Sequence, residues 1–140
     1  MPEYRGYEIP RTGQAPLQFK GKEEAHSTSH IAAKGSHLRR RWHDLRLFRT
    51  EGGKAVVEVQ YVTTWQDDPE KGYVWGKACD WNEVPSALGE HDPRDYVVGG
   101  FPATERYRDQ QEKLLAEICL GYEQAVSALL TEAGFVETVD

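Results

Sequence analysis

Four of the five histidines lie close together in this 140-residue chain, and clustered imidazoles are typical ligands of transition metals. They are His26, His30, His37 and His43. Positions 26 and 30 lie one turn apart on a helix and would share an ion there, whereas on a strand they are about 13 Å apart. Because we favour a strand for residues 19–36, His26 and His30 are a candidate metal site only in the helical alternative, and we expect no cofactor.

The segment 37–49 is the second candidate, because it is basic and contains aromatic rings. Arginines neutralise phosphates, and tryptophan or histidine stacks on unpaired bases. On a strand, however, only Arg39, Arg41 and His43 share one face, so three consecutive arginines do not form one patch. Together with the net charge of -6, this alternation predicts no tight binding to nucleic acid. A charged edge strand, or pairing with acidic residues elsewhere in the fold, explains the arginines better.

Tryptophans offer a third candidate, since several rings near one sheet line either a core, a pocket or a partner interface. The candidate pocket or interface consists of Trp42, Trp65 and Trp75. No catalytic residue is assigned, because the chain contains no GxSxG elbow and Cys119 lies on the apolar stripe of a predicted helix.

The composition is that of one globular domain spanning 1–140, with 39% hydrophobic, 29% charged and 11% aromatic residues. We see no run of about 20 apolar residues and no signal peptide, which predicts a cytoplasmic protein without a membrane anchor. Charge is uneven: residues 34–54 carry seven basic and two acidic side chains, and residues 80–140 carry four basic and thirteen acidic ones.

The basic segment 37–49 is predicted to lie on a β-hairpin. Runs at 40–50 and 55–65 are rich in aromatic and β-branched residues, and they flank two glycines at a turn. Pairing Thr50 with Ala55 would place Phe48 opposite Val57 and Trp42 opposite Thr63 on the buried face. Leu45 and Leu47 would then point away, which requires either a bulge near Asp44 or cover for the second face.

The remaining elements follow from turn and periodicity signals. A third strand is predicted at 73–80, a short helix at 82–89 with Asn82 as N-cap, and an amphipathic helix at 102–134 that Gly134 ends. Ile118 lies at the centre of its apolar stripe, and Glu117 lies beside the stripe, where substitution should be tolerated. Residues 1–18, with three prolines, read as an irregular arm that holds one short strand at residues 4–9, before a sheet at 19–80.

The sequence therefore predicts an α+β domain, in which an antiparallel meander of three to five strands packs against one long C-terminal helix with a short helix between. For function we expect an accessory or protein-interaction module, either a homodimer or a partner of another protein. A nucleic-acid-binding protein using segment 37–49 is the alternative, and a metal-dependent or small-molecule enzyme using the histidines at 26–43 comes third.

Overall fold

The computed structural model describes residues 4–33, 35–64, 72–97 and 108–139, which form a five-stranded antiparallel sheet and two α-helices. The strands follow one another in the sheet in chain order: β1 (Arg5–Arg11), β2 (Gln14–Thr28), β3 (Arg41–Thr50), β4 (Ala55–Thr63) and β5 (Gly72–Cys79). The helices are α1 (Val84–Glu90) and α2 (Arg108–Glu132), and 3-10 turns occupy His37–Arg39, Trp81–Glu83 and Pro93–Asp95. The α+β meander predicted from the sequence is confirmed.

The N-terminal region differs in part from the prediction, because the short strand expected at residues 4–9 forms, whereas the residues after it are strand and turn rather than an irregular arm. Its described residues form β1 and the start of β2, which pair as a hairpin with Tyr7 opposite Phe19. The prolines are compatible with strands here, since Pro10 lies between Ile9 and Arg11, where the pairing register shifts and a missing N–H costs little. Residues 19–28 are strand, as favoured above.

The β3–β4 hairpin forms as predicted, but its register is shifted by one residue. Arg49 pairs with Ala55 and Phe48 with Val56, because Thr50 donates its N–H to the Lys54 carbonyl at 2.8 Å. The turn therefore contains three residues, 51–53, instead of the four predicted, with Gly53 at φ 88°. This shift resolves the predicted conflict between the two faces. It places Leu45 and Leu47 on the buried face with Val57 and Val59, and Trp42 and Phe48 on the opposite one.

The two faces of the sheet have different surroundings. The helices cover the face that carries Leu45 and Val57. The opposite face is concave, because the β1–β2 turn reaches β5: Thr12 donates its N–H to the Val74 carbonyl at 2.9 Å. Under that turn lies a small apolar core around Phe48. The concave face is therefore filled at one end only.

Helix α2 crosses the other face and buries the predicted stripe, including Leu114, Ile118 and Leu129. Its end is as predicted: Gly134 has φ 87°, and the N–H of Phe135 bonds to the Leu130 carbonyl at 2.9 Å. Its predicted start at Pro102 lies outside the described residues. By length and composition alone α2 is able to cross a membrane, which is weak evidence because core helices of soluble proteins meet the same criteria.

Two predicted details near the helices are wrong. Asn82 is not the N-cap of the short helix, because Glu83 takes that position, and Asp80 and Glu83 form a capping box on the 3-10 turn that precedes it. Glu117 is not a free surface residue, since its Oε1 accepts hydrogen bonds from Ser36 Oγ at 2.7 Å and from the His37 N–H at 2.9 Å. It therefore fastens the segment before β3 to α2.

Gly21 is needed where β2 bends between its two neighbours. A Cβ there would lie 2.7 Å from the backbone oxygen of Arg49, and a backbone atom cannot move aside without breaking the pairing. We expect Gly21→Ala to lower the free energy of unfolding by about 1 to 3 kcal/mol. Gly6→Ala in the same hairpin meets nothing within 4 Å and is the matched control. Equal urea midpoints for the two variants would contradict this prediction.

Candidate ligand site on the concave face

Polar side chains occupy the open end of the concave face, in two rows that run across the strands. One row consists of Thr28, Asp44, Gln60 and Val74, and the next of His26, Arg46, Glu58 and Gly76. Residues directly opposite one another on one face lie within side-chain contact, and diagonal neighbours within about 8 Å. Register thus gathers side chains from β2, β3 and β4 on one surface.

The members of these rows on β2, β3 and β4 line a cleft of about 610 Å³, which we call the concave cleft. Its lining also includes Glu23, His30 and Trp42. A volume of this size is within the range of small-molecule sites. The apolar core around Phe48 closes the far end, so a ligand would enter from the side of Trp42.

An ion pair lies on the floor of the concave cleft. Arg46 Nε donates to Glu58 Oε1 at 2.6 Å, and Glu58 is 2% exposed, whereas the Arg46 side chain is 40% exposed. The hydrogen bond to Glu58 raises the pKa of Arg46, and the charges of Glu58 and Glu23 raise it further. Alternation along β4 predicts that Glu58 faces solvent. In the structure the sheet curls, and this face becomes an interior surface on which Glu58 is buried.

Aromatic rings stand at the mouth of the cleft. His30 packs edge-on against Trp42 with ring centroids 4.5 Å apart. The Trp42 indole Nε1 donates to Asp44 Oδ2 at 3.3 Å. This bond holds one carboxylate beside the ring.

The candidate metal pair reaches the same cleft without forming a metal centre. His26 belongs to β2 and His30 follows it, and both are exposed at the rim. Among the residues that the structure describes, no group of three His, Cys, Asp or Glu side chains is arranged to hold a metal ion. Both imidazoles therefore lie at the rim of the cleft as lining side chains.

The three residues of the alternative nucleic-acid site do not lie on one exposed face. Arg39 is exposed in a 3-10 turn, but Arg41 is 5% exposed and His43 is fully buried. His43 has the same parity along β3 as Leu45, so the shifted register turns it towards α2. Only one of the three is accessible to a phosphate.

The three tryptophans proposed as a pocket are also separated. Trp42 lines the concave cleft, whereas Trp75 lies on the helix-covered face, with its ring 4.8 Å from that of His91. Trp65 lies outside the described residues.

A buried polar network on the helix-covered face was missed by the sequence analysis. The Tyr96 hydroxyl lies 2.6 Å from His43 Nε2 and 2.7 Å from His91 Nε2. Nδ1 of His43 is buried and has no hydrogen-bond partner. An unpaired lone pair costs less than an unpaired N–H, so we assign the His43 proton to Nε2, with Tyr96 donating to His91.

This network is neutral at physiological pH. Burial, and then the neighbouring His91, lowers the pKa of His43 to about 3. Burial lowers the pKa of His91 to about 4 and raises that of Tyr96. A general base works best with a pKa near the operating pH, so these groups are suited to packing rather than to proton transfer.

A second cavity, of about 520 Å³, lies beside His91 and Cys119. Burial raises the pKa of the Cys119 thiol and that of Cys79, which disfavours the thiolate needed for nucleophilic attack. Glu123 also lines this cavity, but no buried ion pair does. The concave cleft is the better candidate site.

No family model matches the chain, and neither the curated proteins nor the solved structures include a significant match. Function must therefore be inferred from the chemistry of the concave cleft.

Proposed function

We propose that this protein is a non-catalytic accessory module that binds a small polar molecule in the concave cleft. The observation that carries the proposal is the Arg46–Glu58 ion pair on the floor of a cleft of about 610 Å³, with Glu58 2% exposed. A site that fixes a ligand needs a few polar groups in a concave surface, and the two rows across β2, β3 and β4 supply them.

Stability alone is a poor reason for placing this ion pair there. Taking a carboxylate out of water costs several kcal/mol, and a buried pair often stabilises no more than apolar residues of the same size. Apolar side chains at 46 and 58 would simply extend the core around Phe48 and Val56. An ion pair whose arginine is 40% exposed fits ligand recognition better.

Fragment binding observed by NMR tests the proposal. Small polar fragments should shift backbone amides of the concave face, such as those of Asp44 and Gln60. Gln60→Trp should block the cleft and abolish these shifts. Glu123→Trp, placed in the second cavity, should leave them intact. Fragments that shift only residues around His91, or none on the concave face, would overturn the proposal.

Self-association through α2 is a second candidate, because Leu120 is 54% exposed on a helix whose other large apolar residues are at least partly covered. A two-fold dimer would bury it against its own copy. We expect light scattering to give a dimer mass that Leu120→Glu converts to a monomer. A monomeric wild type at every concentration would contradict this expectation.

A further inference from the structure

We infer that the ligand of the concave cleft is a small organic cation with a planar group, such as an amidinium or an aromatic amine. This inference rests on the proposed function and specifies its ligand class. Three features of the cleft carry it: an excess of carboxylates, unused acceptor capacity on a buried carboxylate, and an aromatic ring at the mouth.

The charge balance favours a cation. Glu23, Asp44 and Glu58 line the cleft, and Arg46 is the lining cation other than the two histidines. Arg46 is already paired with Glu58 at 2.6 Å, which neutralises both. The negative field that remains comes from Asp44 and Glu23. An anion would meet an arginine whose charge Glu58 already offsets, and Asp44 and Glu23 would repel it.

Hydrogen-bonding capacity points the same way. In the described part of the chain, Glu58 accepts one hydrogen bond, from Arg46 Nε to Oε1, although a carboxylate has about four acceptor positions. Asp44 uses Oδ2 to accept from Trp42. Asp44 and Glu58 lie diagonally across β3 and β4, because Asp44 pairs with Gln60 and Arg46 with Glu58. A ligand with several N–H donors would satisfy the oxygens that remain.

The aromatic ring of Trp42 at the entrance of the cleft favours a cation with a planar group. Trp42 is only partly buried and lines the cleft beside Asp44. A cation is attracted to the face of an indole ring, and a planar group stacks there as well. The His30 ring packs edge-on against Trp42 and limits the ways in which the indole can turn.

Benzamidine, benzamide and benzoate test this inference, because they share one shape and carry a positive, zero and negative charge. Binding is followed through the indole N–H signal of Trp42, assigned by its loss in Trp42→Phe. We expect benzamidine to bind about tenfold or more tightly than benzamide, as a charge-assisted hydrogen bond is worth roughly 1.4 kcal/mol more than a neutral one. Benzoate should not shift the signal.

Asp44→Asn should reduce benzamidine binding to the level of benzamide, whereas Glu123→Gln in the second cavity should not change it. If Asp44→Asn fails to fold, added salt provides the measurement in the wild type. It should weaken the binding of benzamidine and leave that of benzamide unchanged.

Two kinds of failure are distinguishable. Equal or tighter binding of benzoate at Trp42 would overturn the cation class and leave the cleft as a binding site. If none of the three compounds shifts the Trp42 signal while other fragments shift amides of the concave face, the inferred ligand class is wrong and the proposed binding function stands. The proposed function itself falls when no fragment shifts the concave face.

Discussion

Lowering the pH from 7 to 5 is expected to destabilise this protein by roughly 4 kcal/mol, because two buried histidines cannot accept protons in the folded state. Burial lowers the pKa of His43 to about 3 and that of His91 to about 4, whereas both groups titrate near 6.5 in the unfolded chain. Below pH 6.5 the unfolded state therefore binds two more protons than the folded state.

The direction follows from linkage. A group that binds protons more readily when unfolded makes stability rise with pH, so this contribution is complete above pH 6.5 and is lost as the pH falls towards the folded pKa values of about 4 and 3. Each histidine contributes about 1.4 kcal/mol per pH unit inside that window. Typical domains are stable by about 5 to 15 kcal/mol, so the loss is large.

Urea unfolding at several pH values between 7 and 5 measures the effect. His43→Gln and His91→Gln retain a hydrogen-bonding side chain but do not titrate, so each should remove about half of the pH dependence. In the wild type, NMR should show two histidine ring signals that do not titrate above pH 5. A free energy of unfolding that is constant from pH 7 to 5 would contradict the buried network.

The sequence did not reveal this network because its members come from distant segments. His91 and Tyr96 lie in the loop after α1, where no periodicity marks them as buried. His43 carried a usable signal, since it shares the parity of Leu45 and Leu47 along β3. That signal depended on the hairpin register, and the turn of three residues instead of four, with Gly53 at positive φ, changed the register by one.

Features that depend on neighbours in the chain were predictable. The end of α2 at Gly134 follows from the freedom of glycine at positive φ, and the strands of the β3–β4 hairpin follow from β-branched residues around a turn. The concave cleft was not predictable, because it depends on the curl that joins Thr12 to Val74. His26, His30 and Trp42 were each selected from the sequence, but for separate sites.

The largest effect of a single core substitution is expected for Ile118→Ala, which should lower the free energy of unfolding by about 2 to 5 kcal/mol. Ile118 is fully buried and packs in a cluster with Leu38, Tyr61 and Leu114. Tyr96 belongs to the same cluster. Truncation therefore leaves a cavity in the cluster to which Tyr96 belongs.

Leu120→Ala, two residues away on α2, is the control for the monomer, measured at a concentration where the wild type is monomeric. Leu120 is 54% exposed in the single chain, so its truncation should change the stability of the monomer by no more than about 0.5 kcal/mol. Glu117→Ala is not neutral in this structure, since it leaves the His37 N–H and the Ser36 hydroxyl without their acceptor, and we expect a loss of about 1 to 2 kcal/mol. Urea midpoints in the order Leu120→Ala, Glu117→Ala, Ile118→Ala, from highest to lowest, would agree with α2 packed as described. Equal midpoints for the Ile118 and Leu120 variants would mean that α2 does not bury the face that carries Ile118. The hydrogen-bonded network around Tyr96 would then be open to water.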